Sequence, residues 1–338
     1  MTVPSIPVVD FSDFDARRNV IAEQVFNACK TPGLFYIINH SLSSSQVAQA
    51  FDLSMEFFEL PAEKKAEYTK VGESFEGYLS LYNQRSDYGN KAQPDHKEAY
   101  DFIPFRDDNN PSHPMPITFL EHKNDIEAFS KDLHAVALQV LELISMGLKL
   151  PFEQQQPSRD DGGTSDWLSQ RHRYSMPKTP GVLRLQRYPR GDAEKHKDEL
   201  QAGEHTDFGT ITLLLHTDVP GLEVKLKENG EWISVPPLNG NAMIVNVAGM
   251  LSYWTHGLFH APFHRVVFTP EQEKKDRYSI AYFLQPESGV KLTDMPSPVI
   301  PKLRPANEDV PHDIIARTSD DYLEYRYRKS VERQKDDH

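Results

Sequence analysis

The chain has 338 residues, 38% of them hydrophobic and 10% aromatic, enough to bury a substantial core without requiring two domains. Its 37 Lys and Arg against 50 Asp and Glu give a formal charge of −13, which repels phosphate backbones and anionic lipid and argues against a nucleic-acid partner. Cys29, the single cysteine, excludes an internal disulfide, no apolar run approaches the roughly 20 residues of a membrane span, and MTVPSIPVVDFSD lacks a leader's basic-then-apolar order, so a soluble, cytosolic protein is expected.

In chain order, IPVVDF reads as a strand, a helical run extends from about Ala16 to Lys30, and LFYIINH is a second strand. Cys29 sits in that first helix as a small buried hydrophobe rather than a nucleophile. SSSQVAQAFDLSMEFFEL follows as a helix capped by Ser43 to Ser45, and Pro61 opens a short acidic-basic helix. From Ile117 to Leu150 the apolar positions Ile126, Phe129, Leu133, Val136, Val140, Ile144 and Leu148 recur at three- and four-residue steps, which predicts one long helix with a single buried stripe. QQQPSRDDGGTSD is loop-like. From Val182 to Pro286 the pattern changes to VLRLQRY, TITLLLH, LEVKL, WISVP, AMIVNV, HRVVF and RYSIAYFL, separated by turn formers without helical runs between them. Short strands at that spacing indicate an antiparallel sandwich or barrel. The chain ends in a charged helical tail whose charges read as a solvated face. Four ranges result: an α/β region over 5–120, a supporting helix and loop over 121–177, a β core over 178–290, and a C-terminal extension over 291–338.

A His-x-Asp pair in a strand places both side chains on one face. Three such pairs occur: His196/Asp198, His205/Asp207 and His216/Asp218. The first lies in an intensely charged stretch, EKHKDEL, that reads as a surface loop. In the third, Asp218 runs into the turn signal DVPG, and His216 stands an odd number of residues from His205, on the opposite face of a continuous strand. His205/Asp207 follows Gly203 and leads into FGTITLLL, so it is the favoured pair. A third ligand has to come from a distant strand. Of His256, His260 and His264, only His264 opens a strand, HRVVF, whereas His256 precedes Gly257 in a turn and His260 has loop-like neighbours. Two histidines and one carboxylate on one side of an iron leave three positions open, as oxygen activation with a bidentate co-substrate requires. The same set would accept manganese or cobalt.

In RYSIAYFL, Arg277 and Ser279 share a face by parity. A guanidinium beside a hydroxyl makes a receptor for a carboxylate, with a structural salt bridge as the alternative. Parity also joins Arg184 to Gln186, and Phe283 to Arg277 and Ser279, while Phe208 adjoins Asp207. Arg184 is a substrate contact or an ion-pair partner; Phe208 and Phe283 are pocket walls or core.

HTDFGTITLL, NVAGMLSYWTHGLFHAPFHRVVF and RYSIAYFLQP together resemble the iron(II)- and 2-oxoglutarate-dependent dioxygenases, in the branch that includes isopenicillin N synthase. IPVVDFS, GLFYIINH, FFELPAEKK and DHKEAYDF are similar to that branch's amino-terminal region, so the resemblance covers most of residues 5–286. It implies a mainly β fold with helices, a distorted double-stranded β-helix or jelly roll, and iron ligands at His205, Asp207 and His264. It further implies that Arg277, Ser279 and Tyr188 bind 2-oxoglutarate. Gln186 stands where the family has Asn, and His256 and His260 inherit no metal role. The implied reaction couples oxidative decarboxylation of 2-oxoglutarate, with O2, to hydroxylation, desaturation or cyclisation of a small organic metabolite. Residues 75–89 lie where the family builds part of the substrate rim. No obligate protein partner, membrane or nucleic acid is expected. Two alternatives share these residues: an oxidase of the same fold that does not use 2-oxoglutarate, and a non-catalytic jelly-roll protein that keeps the metal to bind ligands.

Overall fold

Ser43 shows how the sequence starts an element. Its hydroxyl accepts the Gln46 N–H at 3.2 Å while the Gln46 side chain accepts the Ser43 N–H at 2.9 Å, a reciprocal cap that satisfies two otherwise unpaired donors. The structure, a computed structural model, describes residues 6–70, 76–84, 94–103, 114–152, 166–174, 181–196, 199–238, 241–303 and 317–335. Asp198 and parts of the 75–89 and 154–166 stretches fall outside them.

The elements are β1 (Val8–Asp10), α1 (Phe14–Lys30), β2 (Leu34–Ile38), α2 (Ser44–Phe58), α3 (Ala62–Ala66), β3 (Gly77–Leu79), β4 (Glu98–Phe102), α4 (Ile117–Glu121), α5 (Lys123–Gly147), β5 (Gly181–Tyr188), β6 (Leu200–His205), β7 (Ile211–His216), β8 (Leu222–Lys225), β9 (Trp232–Ser234), β10 (Met243–Val247), α6 (Gly249–Trp254), β11 (His264–Val267), β12 (Arg277–Leu284) and α7 (Ser319–Lys335). An eight-stranded sheet runs β1-β2-β10-β7-β12-β5-β4-β3, and a four-stranded sheet runs β6-β11-β8-β9. β1 and β2 pair in parallel, and the other strand pairs within the two sheets are antiparallel. The amino-terminal strands therefore share one sheet with strands of the β core.

Alternation divides the large sheet's two faces. Leu183 and Leu185 on β5, Leu213 and Leu215 on β7, and Ile280, Tyr282 and Leu284 on β12 join the larger core with α1, α2 and α5. Tyr188, Leu214 and Ile244 turn the other way and pack against Ala202, Leu222, Val224 and Val266 of the small sheet. The result is a helical layer, a large sheet and a small sheet: the expected jelly roll with a supporting helix. α5 buries Ile126, Phe129, Leu133, Val136, Val140 and Ile144, each worth about 1.5–3 kcal/mol. Cys29 is fully buried, and burial pushes its thiol far above the ordinary range.

Three expectations need correction. The helix expected over Ile117–Leu150 is two: α4 and α5 meet at His122, whose φ of −105° and ψ of 19° are not helical. The apolar stripe begins only at Ile126, so its period carries no signal of that break. The β core does contain a helix, α6, between β10 and β11. β3, β4 and β6 also lie outside the expected strands: β3 is only three residues long, and polar residues hide the alternation of β4 and β6. In β4 all five residues are buried, including Glu98 and Asp101, which are ion-paired.

Glu98 fastens the amino-terminal part to the β core. It accepts from Lys65 Nζ at 2.7 Å and from Arg187 Nη1 at 2.9 Å, and Tyr78 Oη donates to it at 2.5 Å. Glu98→Ala leaves two cations without their shared anion and is expected to cost about 3–5 kcal/mol, read as a lowered denaturant midpoint. Glu98→Gln should lose less, because the amide oxygen still accepts.

Candidate metal centre

β6 and β11 pair with His264 opposite His205, which brings the two rings to 4.3 Å between centroids. Each ring is aimed through its far nitrogen. His205 Nδ1 donates to the Gly203 carbonyl at 2.7 Å and His264 Nδ1 to the Pro262 carbonyl at 3.2 Å. Both Nε2 atoms consequently face Asp207 Oδ1, at 3.8 and 3.7 Å. Asp207 is oriented too: its Oδ2 accepts from Thr212 Oγ1 at 2.6 Å and Asn246 Nδ2 at 2.8 Å. Three donor atoms, all within 4.8 Å of one another, therefore converge on one point.

The electrostatics suit a cation there. Burial, and then the neighbouring His264, pulls the His205 pKa well down, so its ring is neutral and keeps a lone pair. Burial alone would push the Asp207 carboxyl up, but His264, His205 and the Thr212 and Asn246 hydrogen bonds outweigh it and hold the group ionised. Ligands about 2.1 Å from one ion are reached by closing each carboxylate–imidazole gap by less than about 1 Å. Two imidazoles and a carboxylate on one side fit a ferrous ion with open positions.

The register of β5, β12 and β7 builds a second patch between the sheets. Arg277 stands opposite Tyr188, and Ser279 opposite both Gln186 and His216. Arg277 is 1% exposed, its guanidinium lies 4.8 Å over the Tyr188 ring, and its Nε and Nη1 have no hydrogen-bond partner among the described residues. A buried, half-satisfied guanidinium with no acidic partner among the described residues is costly. It is a fork shaped for an incoming carboxylate. Ser279 Oγ donates to Gln186 Oε1 at 3.1 Å. His216, set aside at the sequence level, belongs to this patch. Burial and the Arg277 charge bring its pKa to about 4, so it is neutral beside the guanidinium. It is not one of the converging ligands, as expected, but it shares the Ser279 face rather than the opposite one because the chain changes sheets between β6 and β7.

Residues 206–210, which make that crossing, are held from three sides. The Gly249 N–H donates to the Asp207 carbonyl at 2.8 Å, and the Met250 N–H to the Phe208 and Gly209 carbonyls at 3.1 and 3.0 Å. α7 supplies the second hold: Arg326 Nη2 donates to Thr206 Oγ1 at 2.8 Å and lies 4.7 Å over the Phe208 ring. A Cβ on Gly249 would come within 2.4 Å of Arg326 Nη1, so only glycine lets the two approach. The tail is thus not solvated all round: Tyr322 and Arg326 are buried and anchor it against the metal-facing segment. Arg326→Ala is expected to lower turnover by about tenfold through loosened metal, in the roughly 10–100-fold range of outer-partner losses; iron retention after dialysis checks it.

His172 is the third hold. Its Nδ1 donates to the Leu168 carbonyl at 2.8 Å, so Nε2 accepts from Thr210 Oγ1 at 2.8 Å, an arrangement open only to the neutral ring. Burial brings its pKa to about 4, below the unfolded value near 6.5. The unfolded chain takes up the proton first, so this contribution is complete above about pH 6.5 and is lost as pH falls towards 4, up to about 3 kcal/mol. His172→Gln should flatten the pH dependence of unfolding free energy by that amount across this window.

The remaining expected residues separate by partner. Arg184 gives its fork to Asp101, Nε to Oδ1 at 2.6 Å and Nη2 to Oδ2 at 2.8 Å, so it is an ion-pair residue, lying 5.3 Å from the Phe283 ring. Phe283 and Phe208 are both partly buried. His256 Nδ1 donates to the Pro301 carbonyl, and neither it nor His260 joins the convergent group. Sequence reasoning missed Thr212, Asn246 and Arg326. The first two carried a signal, a polar residue inside an apolar strand on the Asp207 side; Arg326 carried none.

Known proteins resemble this chain over most of its length. Residues 6–124 match the model of the non-haem dioxygenase in morphine synthesis N-terminal region, and residues 180–286 match the 2OG-Fe(II) oxygenase superfamily. The 2-oxoglutarate-dependent dioxygenase citB of Monascus ruber is 32% identical over 300 residues, covering 82% of this chain and 84% of citB. Clavatol oxidase claD of Penicillium crustosum is 30% identical over 356 residues, covering 96% of both chains. A full-length Neurospora crassa protein, whose crystal structure was solved in complex with alpha-KG, superposes with a TM-score of 0.75 at 28% identity, covering 96% of each chain. With both family models matched and the histidine–carboxylate cluster assembled within the second matched region, the chain belongs to the 2OG-Fe(II) oxygenase superfamily.

Proposed function

We propose that this protein oxidises a small organic metabolite using iron(II), 2-oxoglutarate and O2, with His205, Asp207 and His264 holding the iron and Arg277, Ser279 and Tyr188 receiving 2-oxoglutarate. The observation that carries the reading is the Arg277 guanidinium, buried and half-unpartnered between the same two sheets as the cluster. When bound, iron supplies the oxygen chemistry, in which 2-oxoglutarate loses CO2 to become succinate and the substrate is oxidised, most simply by hydroxylation.

The chain's own groups do the positioning. Arg277 and Ser279 fix the distal carboxylate, so the 2-oxo acid end points at the ligands rather than tumbling. Gly203, Pro262, Thr212 and Asn246 hold the three ligands in one orientation through their hydrogen bonds. Phe208 and Phe283 offer apolar walls, with Arg326 and Arg184 packed on them. The Neurospora crassa relative was crystallised with thymine and with 5-formyluracil, which supports a small-molecule substrate of that size here.

The test is succinate release in the presence of iron(II), 2-oxoglutarate, O2 and a small-metabolite panel. Succinate formed one-for-one with oxidised product supports the reading. Product without succinate would identify an oxidase that does not use 2-oxoglutarate, and no O2 consumption under any condition would leave a binding protein.

A further inference from the structure

Among the described residues a second group has metal-ligating chemistry: His96, His196 and Glu199. Glu199 immediately precedes β6 while His205 ends it, so the two groups sit at opposite ends of one strand. His96 comes from the segment entering β4, and the other two come from the connection between β5 and β6.

The local structure prepares this triad. The Asp192 side chain accepts from the Glu194 and Lys195 N–H groups at 3.1 and 3.3 Å, and the Asp192 carbonyl accepts from the His196 N–H at 3.1 Å. The Glu199 N–H then donates to the His196 carbonyl at 2.9 Å, which brings the two side chains to one side of the turn. The His196 ring stacks on Phe268 at 4.7 Å and 20°, and His96 meets the same ring edge-on at 5.3 Å. Tyr82 backs His96 at 4.6 Å. Gly191 leaves room for this wall, since a Cβ there would lie 2.9 Å from the Phe268 ring.

The donors meet at one atom. His96 Nε2 and His196 Nδ1 both donate to Glu199 Oε2, at 2.9 and 3.0 Å. In a tetrahedral site with bonds of about 2.0–2.1 Å, ligand atoms stand roughly 3.3 Å apart. A divalent ion can therefore take the place of the two shared protons with shifts of a few tenths of an ångström. Two imidazoles exclude calcium and magnesium as the natural occupant and favour zinc over iron. All three side chains are partly exposed, so the ion has an entry path and a free position for water.

We propose that His96, His196 and Glu199 form a second divalent-metal site, suited to zinc, that clips the connection before β6 to the entry of β4. Burial lowers the His96 pKa, so its ring is already neutral and available near pH 7. The site is independent of the iron-binding reading, because no residue is shared.

Titration of the metal-free protein with Zn2+ against a chromophoric chelator tests it. Wild type should bind two equivalents, and His96→Ala and Glu199→Gln one each. The double variant Asp207→Ala/His264→Ala, with the outer triad intact, should retain one, with zinc-edge X-ray absorption showing two imidazoles. A wild-type stoichiometry that both outer variants leave unchanged, or no zinc bound by the double variant, would overturn the proposal. The double variant decides the case even if an outer variant fails to fold. Failure of the iron assignment looks different: wild type would still bind outer zinc while Asp207→Ala kept its turnover.

Discussion

Asp207→Ala is expected to abolish turnover and the retention of iron(II) by the folded protein. Asp207 supplies the one carboxylate in a cluster whose other members are imidazoles, so its loss removes both a ligand and the negative charge that makes a cation welcome. His264→Ala should have the same effect, because the remaining His205 and Asp207 form only a two-ligand site. The outer partners give a graded comparison. Thr212→Val removes one of two hydrogen bonds to Asp207 Oδ2, and its loss should fall in the roughly 10–100-fold range for metal affinity. Iron content after desalting, with succinate formation on the same samples, checks the order: wild type, then Thr212→Val, then Asp207→Ala with neither iron nor turnover.

Arg277→Met is expected to separate stability from function. In the free protein Arg277 is a buried cation with two nitrogens unpartnered among the described residues, so replacing it with an apolar side chain of similar length should raise the melting temperature rather than lower it. The same change removes the fork for the distal carboxylate. Losing a charge-assisted bidentate contact of about 3 kcal/mol raises the 2-oxoglutarate requirement by roughly 100-fold or more. Wild type should gain about 2.7 kcal/mol of stability at 2-oxoglutarate concentrations about 100 times its Kd, and the variant almost none there. Arg277→Lys should fall between, since an ammonium cannot reproduce the fork. A variant that is less stable when free, with its 2-oxoglutarate response intact, would make Arg277 a structural residue.

The strands that carry the site were legible because their polar residues interrupt otherwise apolar alternation. RYSIAYFL and VLRLQRY gave both their extent and their faces, and the structure places Arg277 with Ser279 and Gln186 with Tyr188 by that rule. His264 was legible as the histidine that opens a strand. β6 was not, because its residues face the cleft and the solvent and leave only Gln201, Ala202 and Gly203 buried. Parity also misled where the chain crosses between sheets, which hid His216. Arg326 was illegible for a different reason. It is one charge among many in the tail, and only the docking of α7 on Thr206 and Phe208 distinguishes it from its exposed neighbours.

The most direct measurement is an anaerobic titration of the iron(II)-loaded protein with 2-oxoglutarate, followed through the visible charge-transfer absorption of an iron-chelated 2-oxo acid. In wild type the band should grow to a plateau at one 2-oxoglutarate per bound iron. Arg277→Met should reach it only at far higher 2-oxoglutarate, and Asp207→Ala should not develop it at all. A band of wild-type intensity and midpoint in Asp207→Ala would contradict the assignment of the metal to His205, Asp207 and His264.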